Sequence, residues 1–170
     1  MKLNLENFDV RKSNPKIYGS YGFAENTERY IVKAQGLIGI DIFSGDKIKI
    51  INTEGYQICE VSAFNKLGIN NHSIIGKNFN SDAKFIKYIL SKSNDKKLLL
   101  NKIKKKNIDV YNLKATNFFN NESQENEKVN LEVHEDGFII LAAPGENMQV
   151  HNQNAPSDIE VIIKRKNIKE

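Results

Sequence analysis

The sequence predicts a mainly β protein of the α+β type, a β-barrel or sandwich with a two-helix insertion between two blocks of strands. Two observations lead to this prediction. Apolar and polar residues alternate on both sides of the insertion, as they do over 47–50. Over about 81–107 the apolar residues instead recur at helical spacing. We therefore expect one β-rich domain over 29–166, after an irregular arm over 1–28 and before a tail over 167–170.

The N-terminal block is expected to contain four strands. Strand signals cover Tyr30–Lys33, Leu37–Phe43, Asp46–Asn52 and Tyr56–Phe64. Two tight turns, one around Gly45 and one around Gly55, join the last three strands, and glycine readily adopts the positive φ that such turns need. The pattern therefore predicts a meander, in which each strand pairs with the next.

The helical insertion carries start and stop signals. Ser81 or Asp82 is expected to cap the first helix, because short polar side chains accept the free amide hydrogens of a helix start. The basic run Lys102–Lys106 reads as the end of the second helix, where lysines complement the helix dipole. Asn107 then suits the left-handed residue that follows many helices.

Strand signals return after the insertion, over Ala115–Phe119, 129–133, Phe138–Ala143 and Asp158–Lys166. Asp136 and Gly137 form a two-residue turn signal that predicts a hairpin between the second and third of these strands. Phe138–Ala143 is almost continuously apolar, so we expect this strand to be buried on both faces.

The charge balance does not indicate a nucleic-acid partner. The net charge is +4 and the pI is about 9.0, but arginine occurs only at positions 11, 29 and 165. Neither arginine nor an aromatic residue accompanies the dense basic run Lys102–Lys106. We therefore expect no nucleic-acid binding.

Compartment and membrane signals are equally plain. Cys59 is the only cysteine, which excludes an internal disulfide and fits a reducing cytoplasm. Because it lies in a predicted strand next to Ile58, we expect it to be a small core residue. No apolar run is long enough to span a membrane, and the N-terminus lacks the apolar segment of a signal peptide. We expect a cytoplasmic protein without a membrane partner.

The polar residues that could carry chemistry are dispersed. Glu54, Gln57, Glu60 and His72 lie at predicted strand ends and loops, and the loop 144–152 contains Glu146 and Asn152. Such residues could converge on one mouth of a barrel.

None of the three histidines, considered one at a time, is expected to be a metal ligand. His72, His134 and His151 are far apart in sequence, and none has a partner at the spacing of metal ligands. Each is expected to be an exposed polar residue.

Four blocks of the sequence resemble the urea carboxylase-associated family, which is catalogued as a domain of unknown function. The similarity lies in a strand–turn–strand block with a Glu-Gly-x-Gln turn, a His-x-x-x-Gly segment, a helix followed by an Asn-x-Phe-like segment, and an apolar strand followed by Asn152 and Pro156. These blocks are 45–65, 72–76, 98–119 and 138–144.

The departures from the family pattern concern a metal site. In the family, a histidine and two cysteines look like metal ligands, and some members hydrolyse carboxylated guanidine compounds. Here His72 matches the histidine, but the cysteine positions are occupied by Phe79 and Ala143. Neither side chain supplies a lone pair, so the resemblance implies a metal-free branch with no cofactor.

Two functions follow from the resemblance. The first is a non-catalytic accessory domain that binds a small polar metabolite or a partner enzyme domain. Segment 20–29 resembles domains found with aminomethyltransferases of the glycine-cleavage T-protein type, which implies a link to one-carbon, methylated-amine or urea-type nitrogen metabolism.

The alternative is a deiminase- or amidohydrolase-like hydrolase of carbon–nitrogen bonds in a ureido or guanidino compound. His72 would act as ligand or base, Glu60 as general acid or base, and Gln57 as an orienting group. The sequence leaves a homo-oligomer open under either function.

Overall fold

The computed structural model describes residues 26–92, 97–144 and 156–166, which form eight strands and two α-helices. The strands are β1 (Thr27–Val32), β2 (Leu37–Ile42), β3 (Lys47–Asn52), β4 (Cys59–Asn65), β5 (Thr116–Phe118), β6 (Glu127–Glu132), β7 (Gly137–Ala142) and β8 (Ile159–Lys164). The helices are α1 (Lys84–Lys92) and α2 (Lys97–Lys105), and both lie within the predicted insertion. None of the described helices is long and apolar enough to cross a membrane.

The strands form two antiparallel four-stranded sheets. Sheet A has the order β1-β8-β3-β6, and sheet B has the order β2-β7-β4-β5. The predicted mainly β fold is confirmed in its sandwich form, with the helices inserted between the two strand blocks. The division into arm, domain and tail stays a prediction, because residues 1–25 and 167–170 lie outside the described ranges.

The predicted meander is wrong, because successive strands alternate between the sheets. β2 and β4 belong to sheet B, whereas β3 lies between β6 and β8 in sheet A. The four residues from Phe43 to Asp46 form an arch rather than a hairpin turn. The amide of Asp46 donates to the carbonyl of Phe43 at 3.0 Å, and the Asp46 carboxylate accepts the Phe43 amide at 2.9 Å.

The predicted hairpin at Asp136 and Gly137 is wrong for the same reason. β6 pairs with β3 in sheet A, while β7 pairs with β2 and β4 in sheet B. Apolar alternation reports that one face of a strand is buried, but it does not report which sheet the strand joins. Both connections therefore carry the chain from one layer to the other.

Two apolar layers hold the molecule together. One fills the space between the sheets, where Ile48, Val61 and Leu141 are almost inaccessible to solvent. The other lies between sheet B and the helices and includes Ile86 and Ile103. β7 contributes to both layers, which confirms that Phe138–Ala143 is buried on both faces. Burying each such side chain contributes about 1.5–3 kcal/mol.

A glycine lets α2 approach sheet B closely. A Cβ atom at Gly39 in β2 would lie 2.5 Å from the Phe138 ring and 2.6 Å from the Leu99 side chain. Any larger residue would therefore push the helix away from the sheet. After α2, Asn107 has a φ of 54°, which confirms the predicted left-handed end of this helix.

Candidate functional site

The described candidate residues occupy different environments. Glu54 lies in an exposed turn, whereas Gln57, Glu60 and His72 are all buried. The other two candidates, Glu146 and Asn152, lie outside the described residues. The hydrogen-bond partners of each buried side chain determine whether it could still act on a ligand.

Gln57 links two distant segments of the chain. Its amide oxygen accepts the backbone amide of Ser157 at 3.0 Å, and its amide nitrogen donates to the Ser157 carbonyl. Asn52 at the end of β3 donates to the carbonyl of Gln57 at 2.8 Å. Gln57 thus holds the segment before β8 against the turn between β3 and β4.

Glu60 points from β4 toward the helical layer and caps α1. Its Oε2 accepts the backbone amide of Ile86 at 2.8 Å, and its Oε1 accepts the hydroxyl of Ser81 at 3.3 Å. The prediction that Ser81 or Asp82 caps the helix is therefore corrected, because a strand residue supplies this acceptor. Asp82 instead pairs with Lys114 at 2.6 Å.

The Glu60 carboxyl has an unusual proton affinity. Burial raises its pKa, while the hydrogen bonds from Ile86 and Ser81 oppose the change. Burial prevails because water solvates a carboxylate better than these donors do. The group has the raised pKa typical of general acids, although its oxygens are already used to cap the helix.

His72 begins a short 3-10 helix, His72–Ile75, and only 2% of its surface is exposed. The expectation of an exposed residue is therefore wrong at this position. Nε2 accepts the backbone amide of Ala63 at 3.0 Å, and Nδ1 lies 2.6 Å from the hydroxyl oxygen of Thr116. That hydroxyl donates in turn to the carbonyl of Asn78 at 2.9 Å.

This chain of hydrogen bonds fixes the His72 tautomer. A backbone amide can only donate, so Nε2 must present a lone pair and the proton resides on Nδ1. The Nδ1 proton is donated to Thr116, whose own proton is donated to Asn78. Burial lowers the pKa of His72 to about 4, so the ring is neutral at physiological pH.

The two positions that the family resemblance assigns to cysteine differ in burial, because Phe79 is 45% exposed whereas Ala143 is buried. The Phe79 ring lies against the His72 imidazole, with their centroids 4.4 Å apart. Ala143 is fully buried in the layer between the sheets. At Phe79 an aromatic ring, tilted by 54° from the imidazole, therefore lies where the family resemblance places a thiolate.

The described residues also provide no alternative metal site. Within residues 26–92, 97–144 and 156–166, no three His, Cys, Asp or Glu side chains are grouped so that they could hold a metal ion. Cys59 is fully buried, and burial raises its pKa, so it stays a thiol. Its predicted role as a small core residue is confirmed.

The structure contains a buried ionic cluster that no sequence pattern predicts. Arg165, just after β8, donates to Glu28 at 2.6 Å and to Asp46 at 2.5 Å. Tyr30 also donates to the Glu28 carboxylate, at 2.7 Å. The cluster joins β1, β8 and the arch before β3, so these polar groups stabilise the fold. No local pattern could reveal it, because its members are separated by up to 137 positions.

These features define a β-sandwich in which the buried candidate residues Gln57, Glu60 and His72 are all hydrogen-bonded within the protein. Comparison with known proteins gives a distant relative. Trimethylamine-oxide aldolase from Ruegeria pomeroyi is 28% identical over 147 residues, which are 85% of this chain and 18% of that protein. The chain therefore spans less than a fifth of the relative. No family model matches the sequence.

A solved structure also resembles the chain. It is a DUF1989 family protein from Silicibacter pomeroyi DSS-3, with a TM-score of 0.47 and 10% identity. The similarity covers 81% of this chain and 78% of the other. DUF1989 is another designation of the urea carboxylase-associated family.

Proposed function

We propose that this chain is a non-catalytic accessory domain of methylated-amine metabolism that acts with a partner enzyme domain of the aminomethyltransferase type. The distant homology to trimethylamine-oxide aldolase supports the metabolic assignment. Because the match covers 18% of that relative, the chain corresponds to a part of it rather than to the whole enzyme. An accessory role fits such a part.

The engagement of His72 is the observation that supports this proposal most directly. A general base or a metal ligand needs a ring nitrogen with an available lone pair. In His72 the only such lone pair accepts the Ala63 amide, and the ring proton is donated to Thr116. Using this imidazole in catalysis would leave a buried amide of β4 unsatisfied, at a cost of about 1–3 kcal/mol.

The other candidates support the same proposal less directly. Glu60 caps α1 and Gln57 holds Ser157, so both have structural roles. Glu54 is exposed and available for contacts. Two related calls stay predictions. One is a mouth formed with the loop 144–152, and the other is binding of a small polar metabolite there by the six candidate residues Glu54, Gln57, Glu60, His72, Glu146 and Asn152.

The test is an activity measurement on the purified full chain. Incubation with trimethylamine N-oxide, followed by proton NMR, should show no consumption beyond a protein-free control. Zinc analysis of protein purified without chelator should show a substoichiometric content. Turnover of the N-oxide, or one zinc per chain that is lost in His72→Ala, would overturn the accessory role.

One observation favours the hydrolase alternative. The raised pKa of Glu60 suits a general acid, and Ser81 lies within hydrogen-bonding distance at 3.3 Å. Assays with carboxyguanidine and allantoate should detect no hydrolysis if the accessory proposal holds. Hydrolysis that is abolished in Glu60→Gln while the protein stays folded would establish the alternative.

A further inference from the structure

Positive charge is concentrated in the sequence segment that contains both helices. Residues 82–114 contain ten lysines and three aspartates, whereas the rest of the chain has 15 lysines and arginines against 18 acidic residues. The net charge of +4 therefore combines a basic segment, residues 82–114, with a slightly acidic remainder of the sequence. Such a separation favours a negatively charged partner on the helical side.

A groove of about 470 Å³ runs between α2 and β2, at the edge of sheet B. Its strand side is formed by residues 37–39, and its helix side includes Leu98, Leu99, Lys102 and Lys105. Leu98 is 80% exposed, an unusual position for leucine on a helix that also buries apolar residues. The groove thus combines an apolar wall with a basic rim.

The edge of β2 exposes backbone groups to this groove. Ala143 donates to the carbonyl of Gly36 at 3.1 Å, so alternate residues from Leu37 to Asp41 turn their amides and carbonyls away from β7. Arg165 covers one end by donating to the Asp41 carbonyl at 3.0 Å. In the part of the chain that the structure describes, no strand pairs with β2 on this side.

The exposed part of this edge lacks the usual protection against pairing. Residues 37–40 are three aliphatic residues and Gly39, without a charged side chain, a proline or a bulge. Proteins normally protect free edges with such features, because an apolar edge pairs readily with another chain.

We propose that an extended acidic segment of a partner protein binds here as a fifth strand of sheet B. Its backbone would pair with residues 37–40, its carboxylates would meet Lys102 and Lys105, and an apolar side chain would contact Leu98. The inference rests on the proposed accessory function, which supplies the partner protein, and adds the surface that it uses.

The charges and shape of the groove argue against other occupants. Two copies of the chain paired through β2 would form one continuous antiparallel sheet with both α2 helices on the same face, which brings like charges together. Nucleic-acid surfaces favour arginine and stacking aromatics, and the residues that line this groove include neither. A concave groove also fits a polypeptide side chain better than the surface of a bilayer.

The experiment uses the full chain and a fluorescently labelled octapeptide in which valine occupies every second position and the positions between carry three glutamates and one leucine. In a strand the glutamates and the leucine then share the face toward α2. Fluorescence anisotropy should show saturable binding that weakens as salt rises. A peptide of the same sequence with N-methyl groups on the amides that face β2 should bind at least about tenfold more weakly, because it cannot form the ladder. A lysine–valine peptide should not bind.

Matched substitutions on α2 localise the binding. Lys105→Glu should weaken binding about fivefold, because it replaces attraction by repulsion on the rim of the groove. Lys104→Glu makes the same charge change at a neighbouring exposed residue outside the groove, and should change affinity less than about twofold. Leu98→Asn should weaken binding, whereas Leu67→Asn, at a similarly exposed leucine elsewhere, should not.

Several results would overturn the inference. These are absence of peptide binding, equal binding of the N-methylated peptide, equal effects of Lys104→Glu and Lys105→Glu, and tighter binding of a DNA oligonucleotide or phosphatidylserine vesicles. A concentration-dependent dimer that the peptide dissociates would assign the edge to a second copy instead. Turnover of trimethylamine N-oxide would overturn the accessory function without changing the peptide result, so the two failures are distinguishable.

Discussion

The imidazole of His72 occupies the place of a neighbouring strand beside Ala63. β5 pairs with β4 only from Cys59 to Val61, and the next outward amide of β4 is that of Ala63. His72 accepts this amide at 3.0 Å and so extends the hydrogen bonding of the sheet edge by one side chain. A residue first considered for catalysis thus completes a sheet.

We expect His72→Ala to destabilise the fold by about 2–4 kcal/mol, because it leaves the Ala63 amide unsatisfied and creates a cavity beside Phe79. The free energy of unfolding in urea measures this effect. His134→Ala is the matched control, since His134 is exposed and its loss should change stability by less than about 0.5 kcal/mol. Equal stability of the two variants would contradict the structural role.

The lowered pKa of His72 predicts a loss of stability in acid. Between its folded value of about 4 and the unfolded value near 6.5, only the unfolded chain binds the proton. The contribution of His72 is therefore complete above about pH 6.5 and falls as the pH drops toward 4, by on the order of 3 kcal/mol in total. Urea unfolding across this range should show the fall.

Urea unfolding of His72→Ala over the same pH range isolates the contribution of His72. Its stability should depend less on pH between about 4 and 6.5, because the titrating group is gone. An unchanged pH dependence would assign the acid sensitivity to other groups. In wild-type protein, NMR should show that the His72 ring stays neutral at about pH 5.5.

Glu60 gives a prediction of opposite sign. Its pKa is raised in the folded state, so its contribution to stability is complete below the unfolded value and is lost as the pH rises through the folded value. Glu60→Gln keeps an acceptor for the Ile86 amide but removes the buried charge, and should match or exceed wild-type stability near neutral pH. Glu60→Ala removes the cap and should cost about 1–2 kcal/mol.

Circular dichroism and urea unfolding of both Glu60 variants measure this prediction. Glu132→Gln, at an exposed position of β6, controls for loss of a surface charge. If Glu60→Gln were as destabilised as Glu60→Ala, charge rather than hydrogen bonding would explain the role of this side chain.

Arg165 should be far more important than an exposed cation. Arg165→Ala leaves the carboxylates of Glu28 and Asp46 buried without their cation, which should cost about 3–5 kcal/mol. Lys33→Ala removes an exposed pair with Asp158 and should cost less than about 1 kcal/mol. Thermal unfolding at low and high salt tests both, since only the exposed pair should respond to screening. Similar losses in the two variants would contradict this assignment.

The sequence predicted local structure better than connections. Periodicity located the strands, the helical insertion and the left-handed Asn107, because these depend on near neighbours. It could not distinguish the arch at Phe43–Asp46 from a hairpin turn, since both need similar polar and glycine residues. The arch and the hairpin differ in which strands pair with β3, and tertiary packing decides that pairing.

The candidate site was less predictable for a related reason. Glu60 was recognised as a polar residue of interest, but its partner Ile86 is 26 positions away. His72 depends on Thr116, which is 44 positions away and carries no signal of its own. The sequence alone does not distinguish a buried structural polar residue from a catalytic one. The hydrogen-bond partners in the folded protein make that distinction.

The alternation of strands between the sheets has a consequence for how the chain folds. Among the described strands, even the closest paired residues, Val61 and Thr116, are 55 positions apart. No ladder can begin as a local hairpin, so long loops must close before backbone pairing stabilises the chain. Such high contact order predicts folding in milliseconds to seconds rather than microseconds. During synthesis, β1 has no partner until β8 leaves the ribosome, and the N-terminal half must wait for the C-terminal half.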